Sequence, residues 1–99
     1  EAQRIIDRIA LSAMSPDSTI TVTGHTDDVP ISNGQFRDNW DLGAGRAASV
    51  VQAIQNTGLI SGDSLSAVSK GEMAPVADNT TAAGREKNRR IEIEISYQD

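Results

Sequence analysis

Residues 90–97, Arg-Ile-Glu-Ile-Glu-Ile-Ser-Tyr, alternate strictly between polar and apolar side chains. Successive residues of a β-strand point to opposite faces of a sheet, so this stretch predicts a strand with one apolar and one polar face. The side chains predicted to face inward are Ile91, Ile93, Ile95 and Tyr97. A sheet that keeps one polar face has helices packed on its other face, which indicates an α+β fold.

Weaker patterns on the N-terminal side predict strands and helices that alternate along the chain. Residues 1–14 predict a helix that Pro16 ends, because proline disfavours helix in the residue before it. Residues 19–23 alternate like a short strand, residues 65–69 predict a weaker strand, and residues 80–88 could form one or two helical turns. The apolar side of the first helix is predicted to contain Ala2, Ile5, Ile6, Ile9, Ala13 and Met14.

A longer helix is predicted between residues 38 and 58. It begins with Asp-Asn-Trp-Asp at positions 38–41, which has the spacing of a capping box, and Gly58 is a suitable residue to end it. The apolar stripe predicted to pack on the sheet consists of Trp40, Ala44, Ala47, Val51 and Ile54.

Length and composition predict a single domain over residues 1–99 and exclude several classes of function. A net charge of −5 argues against nonspecific binding of nucleic acid or anionic lipid, which requires basic surfaces. The absence of cysteine excludes disulfides and thiolate zinc sites. No run approaches the about 18 apolar residues of a membrane-spanning helix. Because the chain begins with Glu1 inside a predicted helix, we interpret it as a fragment whose targeting or membrane segments lie upstream.

The long loop predicted over residues 24–37 contains the only histidine of the chain and an acidic pair, Asp27 and Asp28. A loop of this length in a small domain is often functional. Its polar residues are equally compatible with a simple turn. His25, Asp27 and Asp28 could also bind a metal ion, and His25 with a carboxylate could act as an acid–base pair, although no serine or cysteine nucleophile motif accompanies them.

A second candidate region lies on one face of the long helix, where Asn39, Gly43 and Arg46 recur at helical spacing. Glycine is unfavourable inside a helix, so Gly43 and Gly45 suggest that something approaches the helix closely. Arg46 lies near the positive end of the helix dipole, where a cation needs an anionic partner such as Asp27 or a ligand carboxylate. An acid on a strand-end loop and an arginine on the next helix form a dipolar cleft that suits a zwitterion.

Several separated motifs, in this order, resemble the outer-membrane-protein-A-like (OmpA-like) peptidoglycan-binding domain. They are Gly24-His25-Thr26-Asp27, Asn39-x-x-Leu42, Arg46-Ala47, and Asn88-Arg89-Arg90 followed by Ile-Glu-Ile, and they cover nearly the whole chain. Residues 25–42 and 75–93 are similar to the MotB-like branch of this family, which belongs to flagellar stators.

The resemblance implies noncatalytic binding of peptidoglycan, without a cofactor or metal, through the diaminopimelate of its peptide stem. Asp27 matches the residue that binds the ammonium group, and Arg46 matches the residue that binds the carboxylate. The remaining positions that match the family's site are Thr26, Asn39, Leu42 and one arginine of the pair Arg89 and Arg90.

The resemblance also implies a βαβαβ-type fold with a mixed sheet, a possible homodimer, and a periplasmic domain of an inner-membrane-anchored protein that fastens a stator channel to the cell wall. A general tether between outer membrane and wall is the alternative, and a small metal-dependent hydrolase is a more distant one. The chain departs from the family pattern in two ways: Gly43 replaces the usual serine, and the strand that usually precedes the first helix is absent.

Overall fold

The computed structural model describes residues 2–97 and contains three helices, three strands and one short 3₁₀ turn within that range. The elements along the chain are α1 (Ala2–Ser12), β1 (Thr19–His25), α2 (Asn39–Asn56), the 3₁₀ turn (Gly62–Ser64), β2 (Leu65–Gly71), α3 (Ala82–Asn88) and β3 (Ile91–Ser96). The predicted alternation of helices and strands is confirmed. β1 and β2 each extend two residues beyond the predicted C-terminal ends.

The strands form one mixed sheet in the order β2-β1-β3, so β1 is central. β1 is parallel to β2 and antiparallel to β3. Val22 lies opposite Ala67 on one neighbour and Ile93 on the other. The pairing with β2 shifts between Gly24 and His25, so β1 carries an irregularity where it leaves the sheet. This mixed sheet confirms the predicted α+β class.

The core lies between the sheet and the helices, because α2 packs on β1 and β2 while α1 packs on α2. β3 confirms the predicted alternation, since its isoleucines are partly buried whereas Glu92 and Glu94 are exposed. The prediction for Tyr97 is wrong. β3 ends at Ser96, and Tyr97 is 61% exposed, with its hydroxyl donating to the Ser12 carbonyl at 2.9 Å. The buried apolar residues are Ala10, Ala13, Ile20, Val22, Ala47, Ile54 and Ile60.

The buried side of α1 is narrower than the predicted apolar side. Ile6 and Ile9 are partly buried against the core, but Ala2, Ile5 and Met14 are exposed. Met14 is exposed because α1 ends at Ser12, which takes Met14 out of the helical register.

The buried face of α2 differs from the predicted stripe. Trp40 and Ala44 are exposed, and the buried residues are Asn39, Gly43, Ala47 and Ile54. A side chain added at Gly24 on β1 would clash with the carbonyl of Gly43, so helix and strand touch through their backbones here. Because a bulky apolar side chain does not fit between them, the first turns of α2 bury polar and glycine residues instead.

Both ends of α2 follow the predicted signals. Asp38 is the N-cap, and its side chain accepts a hydrogen bond from the backbone N–H of Asp41 at 2.9 Å. The carboxylate of Asp41 in turn binds the backbone N–H and the guanidinium of Arg37. Beyond the other end, Gly58 adopts a φ of +77°, a conformation that favours glycine. Over the described range, no helix is sufficiently long and apolar to span a membrane.

Candidate ligand-binding site

The loop that carries Asp27 leaves the sheet between both neighbouring strands. The backbone N–H of His25 donates to the Arg90 carbonyl, and that of Thr26 donates to the Gly71 carbonyl, each at 2.9 Å. The buried Thr26 hydroxyl donates to the carbonyl of Asp27 at 2.8 Å. The loop therefore starts from a fixed point, because its first residues are bonded on both sides.

Asp27 forms an ion pair with Arg89, and Oδ2 of the carboxylate lies 2.7 Å from Nη1 of the guanidinium. The second oxygen, Oδ1, accepts from the backbone N–H of Val29 at 3.0 Å. The Asp27 side chain is 13% exposed and that of Arg89 is 41% exposed, so solvent and ligands can reach the pair from the Arg89 side. The sequence suggested Arg46 as a partner for Asp27, whereas in the structure Asp27 forms its ion pair with Arg89.

The buried side chain of Asn39 connects three segments at this edge of the sheet. Its Nδ2 lies 3.3 Å from the Asp27 carbonyl, 3.1 Å from the Val29 carbonyl and 3.3 Å from Oε1 of Glu72. Asn39 thereby fastens the Asp27 loop to the first turn of α2. The sequence motifs do not include Glu72, although the parallel arrangement of β1 and β2 brings the C-terminal ends of both strands to the same edge of the sheet.

Asn88, at the end of α3, organises the loop before that helix. It is fully buried, and its Oδ1 accepts from the backbone N–H groups of Val76 and Ala77 at 2.8 and 3.0 Å. Its Nδ2 donates to the carbonyl of Ala77 and to Oδ1 of Asn79. All four of these side-chain hydrogen bonds go to residues 76–79, so Asn88 fixes the loop that precedes α3.

The two arginines that follow Asn88 point to different partners. Arg89 reaches Asp27, whereas Arg90 donates to Oε2 of Glu92 at 2.7 Å and to the Ala74 carbonyl at 3.0 Å. The hydrogen bond from Arg90 lowers the pKa of Glu92 below its usual value, with a smaller contribution from His25. Of the two arginines, the structure places Arg89 beside the Asp27 carboxylate and engages Arg90 elsewhere.

The residues of the metal-binding alternative do not come together. His25 is 3% exposed, and its Nε2 lies 3.3 Å from Oε1 of Glu92 without hydrogen-bond geometry. Asp27 is paired with Arg89, and Asp28 is exposed. Between residues 2 and 97, no group of three or more histidine, aspartate or glutamate side chains is arranged to hold a metal ion.

Leu42 and Arg46 lie on α2, one helical turn apart, and both are partly exposed. Within residues 2–97 the Arg46 guanidinium has neither a hydrogen bond nor an ion pair. The candidate site thus combines the Asp27–Arg89 ion pair at the end of β1 with Arg46, a cation on α2 that has no ion-pair partner in this range.

Gly43 and Gly45 suggested that something approaches α2 closely, and in the structure other residues of the same domain do so. Gly43 faces Gly24 and the hydroxyl of Ser69, and a Cβ at Gly45 would lie 2.9 Å from the ring of Phe36. A serine at position 43 would clash with Ser69 on β2. This contact explains why the chain has glycine here instead of the serine that is usual in the family.

The sequence matches the OmpA family over residues 1–89, and the chain belongs to this family. It is 40% identical over 85 residues to Motility protein B of Bacillus subtilis, which covers 86% of this chain and 33% of that protein. It is 36% identical over 93 residues to Peptidoglycan-binding protein ArfA of Mycobacterium tuberculosis, covering 93% of this chain and 27% of that protein. The chain therefore spans about a third or less of these two relatives.

The fold is similar to that of a crystallised periplasmic domain of Helicobacter pylori MotB. The TM-score is 0.85 at 32% sequence identity, and the match covers 98% of this chain and 62% of that one. These findings confirm the predicted family, the predicted fold and the similarity to MotB-type domains.

Proposed function

We propose that this domain binds peptidoglycan without catalysis, through the zwitterionic end of diaminopimelate in the peptide stem. The observations that carry the proposal are the Asp27–Arg89 ion pair at the end of β1 and Arg46 on α2, a helix that packs on β1, since Arg46 has no ion-pair partner within residues 2–97. Such a site offers an acceptor for an ammonium group and a donor for a carboxylate. Membership of the OmpA family and the similarity to ArfA, whose name describes peptidoglycan binding, support the proposal.

In this proposal Asp27 accepts hydrogen bonds from the ligand ammonium, and Arg46 binds the ligand carboxylate in a bidentate manner. Helical side chains lean towards the N-terminus, so we expect the Arg46 guanidinium to extend over the turn that contains Leu42. Leu42 would then contact the methylene chain of the ligand. Arg89 orients Asp27, since the ion pair restricts rotation of the carboxylate.

Three further residues have supporting roles. Thr26 and Asn39 hold the Asp27 carbonyl, which fixes the backbone that presents the carboxylate. Arg90 supports the loop through Ala74 and does not contact the ligand, because its guanidinium is engaged with Glu92 and backbone carbonyls.

At the level of the whole protein, we propose a periplasmic anchor of a flagellar stator that is attached to the inner membrane, forms a homodimer and assembles with a membrane channel. The similarity to Motility protein B and to the H. pylori MotB domain favours this role. A general wall tether is the second candidate, because the name of ArfA describes peptidoglycan binding without reference to motility. The sequence of the full-length protein distinguishes the two, because a stator carries a transmembrane helix on the N-terminal side of such a domain.

The proposal is tested by sedimentation of the domain with purified peptidoglycan that contains diaminopimelate. We expect the wild type to pellet with the wall, and free diaminopimelate to prevent this. The Asp27→Ala and Arg46→Ala variants should stay in the supernatant. Asp28→Ala, which removes the adjacent exposed carboxylate, should pellet like the wild type. Pelleting of both site variants at the wild-type level would contradict the site, and a folded wild type that does not pellet would contradict the function.

A further inference from the structure

Glu72 is a carboxylate at the candidate site to which neither the sequence motifs nor the proposed function gives a role. It follows Gly71, the last residue of β2, at the edge of the sheet where β1 also ends. Its Oε1 lies 3.3 Å from Nδ2 of Asn39, the same amide that contacts the carbonyls of Asp27 and Val29. One buried amide therefore links Glu72 to the Asp27 loop.

The charges at this edge are not compensated equally. Both oxygens of Asp27 are engaged, one by Arg89 at 2.7 Å and the other by the Val29 N–H. Within residues 2–97, the only hydrogen bond of Glu72 comes from the neutral amide of Asn39, and no cation forms an ion pair with it. Arg46 is likewise without an anion over the same range. Among Asp27, Arg89, Glu72 and Arg46, the two charges without an ion-pair partner in this range are thus one negative and one positive.

The contact that holds Glu72 is weak and can be given up. Asn39 Nδ2 carries two protons but faces three acceptors at 3.1–3.3 Å, so at most two of these hydrogen bonds are fully formed at one time. Glu92 provides a contrast, because its carboxylate is held by Arg90 at 2.7 Å and lies beside His25. Glu72 is partly exposed and is free to turn towards a ligand without losing a cation.

We propose that Glu72 is a further ligand-binding residue of this site, whose carboxylate receives the ammonium group of the ligand together with Asp27. This inference rests on the proposed function. In this inference Arg89 neutralises the charge of Asp27. The negative charge that matches the ligand ammonium therefore comes from Glu72. Glu72 therefore determines the preference for a zwitterion over a plain dicarboxylate.

The test compares the affinities of wild type and Glu72→Gln for meso-diaminopimelate and for pimelate, which has the same carbon chain and carboxylates but no amino groups. Glutamine keeps an oxygen acceptor for Asn39 and removes only the charge. We expect about fivefold to tenfold weaker binding of diaminopimelate and unchanged binding of pimelate. Glu94→Gln, the same change on the exposed face of β3, serves as the matched control and should bind both probes like the wild type.

The wild type provides a second measurement that needs no substitution. The ¹³C resonance of the Glu72 side-chain carboxyl should move when diaminopimelate is added and stay in place when pimelate is added. Equal affinity of Glu72→Gln and wild type for diaminopimelate, or an unmoved Glu72 resonance, would overturn the inference. If at the same time Asp27→Ala abolishes pelleting with the wall, the proposed function stands and only the role of Glu72 is wrong.

Discussion

The two ends of β1 are held in place by different kinds of interaction. At its start, Ile20 and Val22 pack in the apolar end of the domain, which we define by Ala10, Ala13, Ile20, Ile54 and Ile60. At its finish, the polar end is defined by His25, Thr26, Asp27, Asn39, Asn88 and Arg89. There the buried side chains are mostly polar, and those of Thr26, Asn39 and Asn88 form hydrogen bonds with backbone groups of the loops.

This difference separates stability from geometry. Apolar packing is nondirectional and tolerates small shifts, so the apolar end supplies free energy without fixing the positions of single atoms. Buried polar groups must keep their hydrogen bonds, which ties each loop of the polar end to one arrangement. A site that depends on the placement of two charges is therefore built where polar groups are buried.

The largest effect is expected from a comparison of Asn88→Ala with Ile54→Ala. Asn88 makes four hydrogen bonds in a fully buried position, so its loss should lower the free energy of unfolding by about 3–5 kcal/mol. Ile54→Ala should lower it by about 3 kcal/mol through a cavity in the apolar end. Urea unfolding measures both changes.

Binding to the wall distinguishes the two variants under conditions where both are folded. Asn88→Ala should also weaken binding, because the loops beside Arg89 lose their support, whereas folded Ile54→Ala should bind like the wild type. An equal loss of binding in both variants would show that the two ends are not separable.

A smaller effect is expected from Gly43→Ser, which tests the contact between helix and strand at the polar end. The new side chain meets Ser69, so we expect a loss of about 1–3 kcal/mol in the free energy of unfolding. Adding Ser69→Ala should recover part of it, since the clashing hydroxyl is then gone. Gly34→Ser, where nothing lies within 4 Å, is the control and should change stability little. Additive effects of the two substitutions would contradict the contact.

Trp40→Ala should have a modest effect for a residue of this size. Trp40 is 49% exposed on the first turn of α2, so we expect a loss of about 1 kcal/mol, well below that of a buried aromatic residue. Thermal unfolding provides the measurement. A loss as large as that of Ile54→Ala would mean that Trp40 belongs to the core and that the polar end has an apolar anchor.

The smallest effect is expected for the pH dependence of the Arg37–Asp41 ion pair at the N-terminus of α2. Hydrogen bonds from Arg37 lower the pKa of Asp41 to about 2. Because this pKa is below the value in the unfolded chain, the contribution of the pair is present above about pH 4 and is lost as the pH falls towards 2. An NMR titration of Asp41 should show this midpoint. Arg37→Ala should return the midpoint to the ordinary range, while Arg8→Ala, which removes a cation from α1, should leave it unchanged.

The sequence predicted the apolar end and the strands better than the packing of the polar end. The alternation in residues 91–96 and the N-cap at Asp38 depend on neighbouring residues alone, so local patterns reveal them. The apolar stripe through Trp40 and Ala44 was wrong because it assumed that buried residues are apolar. On α2 the face that meets β1 is instead Asn39 and Gly43, and only the backbone contact with Gly24 explains this choice.

The candidate site divides in the same way. Asp27 and the arginine pair belong to recognisable motifs, but the choice of Arg89 over Arg90 depends on where β3 begins relative to the loop after β1. The parallel pairing of β1 and β2 brings Glu72 to the site. There it contacts Asn39, which lies 33 positions away in the chain. No local pattern contains that information.

The most direct test of the account is chemical-shift mapping of the ¹⁵N-labelled domain with meso-diaminopimelate. We predict that the shifted resonances belong to the polar end and its neighbours on α2, including Thr26, Asp27, Asn39 and Arg46. The apolar end has its own cavity of about 220 Å³, lined by residues such as Ala13 and Ile60, which should be unaffected. Shifts confined to that cavity, or no shifts at all in a protein that pellets with the wall, would contradict the assignment of the site.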